Sequence, residues 1–158
     1  MYQIGDKIAH PLHGAGTISG IEEKRIDGKN KCFYVMYVPK GDMRVMIPMD
    51  SCEAIGIRPI VAKKQAAEIM KAIPSLEIEE DSNWNRRYRE NMVKIKSGNL
   101  LEVAAVIKSL VHRENERGLS TGERKMLHSA KQILLSEIVL SQESDYEEAE
   151  QQLYAALV

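Results

Sequence analysis

Three clusters of residues in this chain have the types to do chemistry. His10 and His13 flank Pro11 in HPLHGAG, and two imidazoles so placed can supply part of a metal site. No carboxylate or thiol follows at ligand spacing, however. The stretch therefore reads as a turn with surface imidazoles, in which Gly14 and Gly16 permit tight packing rather than cradle a phosphate. Cys32 and Cys52 have no second pair and no CxxC spacing. They read as reduced thiols of a cytosolic chain, not as zinc ligands. The third cluster is NWNRRYRENMVK, from Asn83 to Lys94, which holds the single tryptophan, Trp84, with Arg86, Arg87 and Arg89 close behind it. Guanidinium groups bind phosphates, and an indole can enter a base step as a flat apolar wedge. The same spacing also fits a helix that buries its tryptophan and leaves its arginines in water.

Enzyme chemistry finds little support. There is no GxxxxGK[ST] loop and no GxGxxG after a strand. No Ser, Cys or Asp stands beside a histidine as an activated nucleophile would, and His112 and His128 fall at the edges of amphipathic helices. The expectation is a binding protein rather than an enzyme, with no cofactor, no metal and no small-molecule substrate.

Two kinds of element must position these residues. The first sixty residues contain DKIAH, AGTISGIEE, KCFYVMYV and RVMIP, short segments of β-branched, aromatic or alternating character. Turn residues separate them, and Asp27-Gly28 is a strong hairpin signal. Four or five short strands in so small a span suit a strongly bent SH3-like or Tudor-like barrel. After Arg58-Pro59 the pattern turns helical. In IVAKKQAAEIMKAI, residues Ile60, Lys64, Ala67 and Met70 fall near helical spacing, and Pro74 ends the run. The acidic stretch LEIEEDSN reads as a linker near residues 74–82, with Glu79 to Asp81 as solvated charge and Asp81 or Ser82 as the next N-cap.

Trp84, Tyr88, Met92 and Ile95 share one face of the helix that follows, and Ser97-Gly98 ends it. Leu100, Val103, Ala104, Ile107, Leu110 and Val111 mark the clearest amphipathic helix, stopped at Arg117-Gly118. Ser120 and Glu123 form a capping box in STGE. The helix it opens runs through Met126, Leu127, Ala130, Ile133, Leu134 and Ile138. A last helix from about Asp145 to Leu157 shows the face Tyr146, Ala149, Leu153 and Ala156. The fold class is thus α+β: a small barrel over residues 1–59, then an all-α domain over 60–158.

Bulk composition adds a further clue. The chain has 158 residues, 44% of them hydrophobic, and a formal net charge of −1. No run approaches the ~20 apolar residues of a membrane span, and MYQIGDKIAH lacks the form of a signal peptide. The near-neutral total hides a dipolar layout, with residues 83–131 at net +6 and residues 132–158 at net −6. A basic block spread over several helices favours the nucleic-acid reading.

On these residues the sequence resembles the CarD family (CdnL-type) of bacterial transcription regulators. GDKIAHPLHGAGTISGIEE and IGIRP look like its first domain, which transcription-repair coupling factors share. NWNRRYRENMVKIKSGNLLEVAAVIKSL and RENERGLSTGERKMLHSAKQILLSE look like its second, and their combination is highly specific. The resemblance implies a Tudor-like domain that docks edge to edge on the RNA polymerase β subunit. It also implies a helical DNA-binding domain whose tryptophan enters the minor groove at the upstream edge of the promoter bubble. By position that tryptophan is Trp84, and the phosphate contacts are Arg86, Arg89 and Arg124, with Lys125 adjacent. Arg87 is a further DNA candidate from the residues themselves. The polymerase-facing positions fall on Lys24 or Arg25 and on Met46. A basic residue is expected where Met46 stands, and Arg44, two residues away on the same strand, can substitute. The expected protein is a cytoplasmic, non-sequence-specific stabiliser of the open promoter complex. The alternative is a protein–protein adaptor whose barrel binds a partner strand, with Trp84 buried and no DNA contact.

Overall fold

The computed structural model describes residues 1–78 and 81–158. Strands β1 (Lys7–His10), β2 (Gly14–Ile26), β3 (Lys29–Val38) and β4 (Met43–Pro48) run as an antiparallel meander. After a one-turn helix α1 (Cys52–Ile55), the short β5 (Arg58–Pro59) pairs back onto β1, giving the order β4-β3-β2-β1-β5. Asp27 and Gly28 both have positive φ, 51° and 77°, as the two-residue hairpin between β2 and β3 requires. A register shift between Ile18 and Gly20 marks a bulge in β2, the kind of irregularity that bends a long strand. The alternation in β3 turns Tyr34, Met36 and Val38 inward, where they pack with Ile8, Ile18, Ile47 and Ile57.

The rest is helical, as expected: α2 (Lys63–Ala72), α3 (Trp84–Lys96), α4 (Leu100–Arg117), α5 (Thr121–Gln142) and α6 (Tyr146–Leu157). The buried side of α2 is Ala66 with Ile69 and Met70, continued by Ile73, whereas Lys64 and Ala67 face water. This face is rotated from the one that the spacing of Ile60, Lys64, Ala67 and Met70 predicts. A 3-10 turn at Ile73–Ser75 follows, and Lys108 of α4 caps it. Its ammonium donates to the carbonyls of Ile73, Pro74 and Leu76 at 3.0, 2.8 and 2.8 Å, supplying partners for carbonyls that a helix end leaves orphaned. The cap of α3 is Asn83 and not Asp81 or Ser82: its Oδ1 accepts the Arg86 amide at 3.0 Å. Asp81 instead accepts from the Asn83 amide at 2.9 Å. Glu79 and Glu80, expected as solvated charge, lie outside the described residues.

Helix α5 joins the two halves. From Ile133 to Ile138 it is buried on every side, because it packs on α4 and also on β2. Ser136 Oγ accepts the Ala15 amide at 2.8 Å. Glu137, only 1% exposed, takes both Nη groups of Arg58 at 2.6 and 2.8 Å and the Val61 amide at 2.8 Å. The same Arg58 donates to the Gly98 carbonyl ahead of α4. This packing corrects the reading of His10, which is buried and not a surface imidazole. It shares a crevice with Leu100, Val103 and Ile133, and its Nδ1 accepts the Leu12 amide at 3.1 Å. Burial, aided by the neighbouring His13 ring, lowers its pKa from 6.5 to about 4.

Two consequences can be measured. The unfolded chain protonates His10 before the folded one does, so stability should fall as pH drops from 6.5 towards about 4. Unfolding midpoints taken across that range should lose this slope in His10→Gln. Gly14 sits at φ 86°, and a Cβ there would collide with Ser136 Oγ and press on the Gln132 carbonyl. Gly14→Ala should therefore cost about 2–4 kcal/mol in denaturant unfolding, from overpacking and left-handed strain together.

Candidate nucleic-acid interface

Trp84 is the first residue of α3 and is 43% exposed. One face of the indole stacks on Tyr88, one helical turn on, with ring centroids 5.1 Å apart and planes 19° apart. Its Nε1–H donates to Ser120 Oγ at 3.3 Å. A methyl placed on Gly122 would lie 3.8 Å from Trp84 Cζ2, so the ring rests against the first turn of α5. The buried stripe of α3 is instead Arg87, Asn91 and Ile95, flanked by half-buried Tyr88 and Met92. Trp84 thus stands at the edge of the packed face, with part of its ring in solvent.

Arg87 departs from the expectation of a solvated, phosphate-binding arginine: it is 6% exposed. Its Nε donates to Glu123 Oε2 at 3.0 Å and its Nη1 to the Asp81 carbonyl at 2.8 Å. The physical reason is Glu123, which α5 buries to 2% exposure and which must be paired. Arg113 Nε approaches the same carboxylate at 3.9 Å. Burial pushes the Glu123 carboxyl up, yet the hydrogen bond and charge of Arg87, with the bonds from Ser120, outweigh it and hold the carboxyl below its usual value.

The other expected DNA residues are exposed. The Arg86 side chain is 61% exposed and pairs loosely with Asp81 at 3.4 Å. Arg89 is exposed on α3, while Arg124 and Lys125 are exposed on the opening of α5. Contact between Trp84 and α5 brings together two helix starts that carry the half-exposed indole and these exposed cations. Such an arrangement holds phosphates without reading sequence and offers an apolar face to an unstacked base. Among the described residues, no three His, Cys, Asp or Glu side chains converge as a metal site, and no helix is long and apolar enough to cross a membrane.

The polymerase-facing candidates lie on the sheet domain and are not brought together into one cluster. Lys24 and Arg25 are exposed on the distal part of β2, and Arg44 is exposed on β4 beside half-buried Met46. Strand register sets Lys24 opposite Lys31, and Arg44 and Met46 opposite Tyr37 and Val35. All of these fall on the outer face. Arg25, opposite Asn30, falls on the other. The β4 strand ends the sheet order, so one side of its backbone is unpaired within the sheet.

Residues 2–61 match the family model of the CarD-like/TRCF RID domain, and residues 68–154 match that of the CarD C-terminal domain. The chain belongs to the CarD family. It is 37% identical over 138 residues to the putative transcription factor YdeB of Bacillus subtilis strain 168, a match covering 87% of this chain and 90% of that one. It also resembles the solution structure of the 72-residue N-terminal domain of Myxococcus xanthus CarD, at 29% identity and a TM-score of 0.33, over 37% of this chain and 79% of that one. As a CarD-family chain it is a transcription-associated regulator, with a five-stranded antiparallel sheet domain followed by helices.

Ser120 and Glu123 belong to the tryptophan site, although STGE marks them in sequence only as a cap. The signal that could have placed them there is the buried end of that motif: an acid at the third helical position can face inward as easily as back along the chain. Replacing Arg87 with Ala should cost about 3 kcal/mol in denaturant unfolding, the low end for a broken buried pair, since Arg113 stays near Glu123. Arg86→Ala should stay within about 0.5 kcal/mol of the parent.

Proposed function

We propose that this chain grips RNA polymerase with its barrel and stabilises the open promoter complex with its helical half, in the cytoplasm of a bacterium. The carrying observation is the half-exposed indole of Trp84 at the head of α3, among the exposed Arg86, Arg89, Arg124 and Lys125. The arginines and lysine neutralise phosphates and set the position of the protein. Trp84 then wedges into the minor groove at the upstream edge of the bubble. Inserting a wedge costs a few kcal/mol on intact duplex and less where bases are already unstacked. The wedge therefore favours separated strands over the closed duplex.

So few phosphate contacts bind free DNA weakly at physiological salt. The barrel supplies the missing concentration by tethering the helical half to the polymerase. Its partner is the β subunit, met through the open edge of β4, with Lys24, Arg44 and Met46 on the adjoining outer face and Arg25 across from them. Edge pairing gives affinity through the backbone, and those side chains give specificity. The exposure of Trp84 supports this reading over the adaptor alternative, which expects a buried indole.

Trp84→Ala should leave polymerase affinity unchanged and shorten open-complex lifetime about fivefold or more, the equivalent of losing ~1 kcal/mol of base stacking. An unchanged lifetime with a folded variant would refute the wedge. In the same assay Arg86→Glu and Arg124→Glu should weaken promoter engagement, and the slope of log affinity against log salt should shrink by about 1 for each phosphate partner removed.

A further inference from the structure

We propose that Ser120, Glu123 and Arg87 form a relay that holds the Trp84 indole in its working orientation, so that these residues position the wedge and do not touch DNA. This rests on the wedge reading above. The relay is a closed set of hydrogen bonds. Trp84 Nε1–H donates to Ser120 Oγ at 3.3 Å, and the Glu123 amide donates to the same oxygen at 3.2 Å. The Ser120 hydroxyl donates in turn to Glu123 Oε1 at 3.1 Å. Arg87 Nε closes on Glu123 Oε2 at 3.0 Å, and Arg87 Nη1 reaches the Asp81 carbonyl just ahead of α3.

The inventory of Ser120 explains the direction. A hydroxyl has one donor and two lone pairs. Ionised Glu123 can only accept, so the Ser120 proton must point at it. Both lone pairs are then left for the helix amide and the indole N–H. Arg87 and its charge keep Glu123 ionised in its buried site, which keeps the serine turned the right way. Because Arg87 and Trp84 sit on the same helix, the circuit runs from α3 to α5 and back. Tyr88 fixes the plane of the ring, and Ser120 fixes its rotation within that plane. A ring fixed in advance need not be ordered at the bubble edge. Ordering one side chain on binding costs a factor of roughly two to ten in affinity.

The chain has one tryptophan, so its fluorescence reports this ring alone. Ser120→Gly deletes the hydroxyl but keeps a good N-cap residue, which separates positioning from helix stability. Ser120→Thr keeps the hydroxyl and serves as the rescue. In the full-length protein, Ser120→Gly should raise acrylamide quenching and lower the anisotropy of Trp84. With polymerase and promoter DNA it should shorten open-complex lifetime roughly two- to tenfold at unchanged polymerase affinity. Ser120→Thr should restore both. Glu123→Gln should loosen the ring in the same way, with melting temperature recorded beside it. Unchanged quenching and anisotropy in Ser120→Gly would overturn the relay, whatever the DNA assays give. Loosened fluorescence with an unshortened lifetime, where Trp84→Ala does shorten it, would overturn the positioning role and leave the wedge standing. If Trp84→Ala has no effect either, the wedge reading falls and takes the positioning role with it.

Discussion

Helix α5 buries two carboxylates, and the arrangement of the molecule follows from having to pair them. A carboxylate removed from water costs several kcal/mol unless a cation and further donors meet it. Glu123, near the start of the helix, takes Arg87 from α3; Glu137, further along, takes Arg58 from β5. Each arginine comes from a different element, so each pair fixes that element against α5. Arg58 also donates to the Gly98 carbonyl ahead of α4, and Arg87 to the Asp81 carbonyl ahead of α3. The loops leading into both helices are tied to the same two charges. Breaking either pair strands a buried charge, a larger loss than the pair's own net worth.

Local rules carried most of the fold into the sequence. The Asp27-Gly28 hairpin, the alternation of β3, the stripe of α4 and the Ser120 cap each depend on residues near in sequence and on fixed periods. What the sequence concealed depends on neighbours far along the chain. Lys64 and Ala67 fit a helical stripe as well as Ala66, Ile69 and Met70 do, and only the packing of α2 on α5 and α6 chooses between them. His10 sits among turn residues, yet α4 and α5 cover it. The run ILLSEIVL within α5 already carries apolar residues on all sides. That is the mark of a helix packed on two partners at once, and the clean amphipathic first half of α5 masks it. In the candidate site, the exposure of Arg86 and Arg89 was legible from their place off the apolar face. The spacing of Trp84 fitted a buried ring as well as an exposed one, and Arg124 and Lys125 entered only through the family resemblance. The burial of Arg87 was not legible, because a run of arginines gives no sign of which one a distant buried acid will claim.

The charge layout changes meaning once the pairs are known. Residues 83–131 carry a net +6 in sequence, but not every cation in it is free to meet a partner. Arg87 and Glu123 already cancel within that total, Lys108 is held by three carbonyls, and Lys131 meets Glu150 and Tyr154 of α6. The acidic last helix thus answers some of the basic block within the fold. What remains for a polyanion is a narrower group at the joined starts of α3 and α5. Under the proposed function a few exposed cations suffice, because strong phosphate binding would trap the chain on bulk DNA.

A half-exposed tryptophan at the head of a helix would ordinarily be a floppy one, since helix termini fray and the first turn has few intrahelical bonds. Here the stack on Tyr88 and the bond to Ser120 hold it from two directions without burying it. The clamp of Arg58 and Glu137 then links that ring, through α5, to the barrel. A tether raises local concentration only if its geometry lets both ends engage at once. A ring locked to α5, and α5 locked to the sheet, fix the distance and angle between Trp84 and the open edge of β4. Under the proposed function that rigidity favours binding, because any slack would have to be removed when both ends engage.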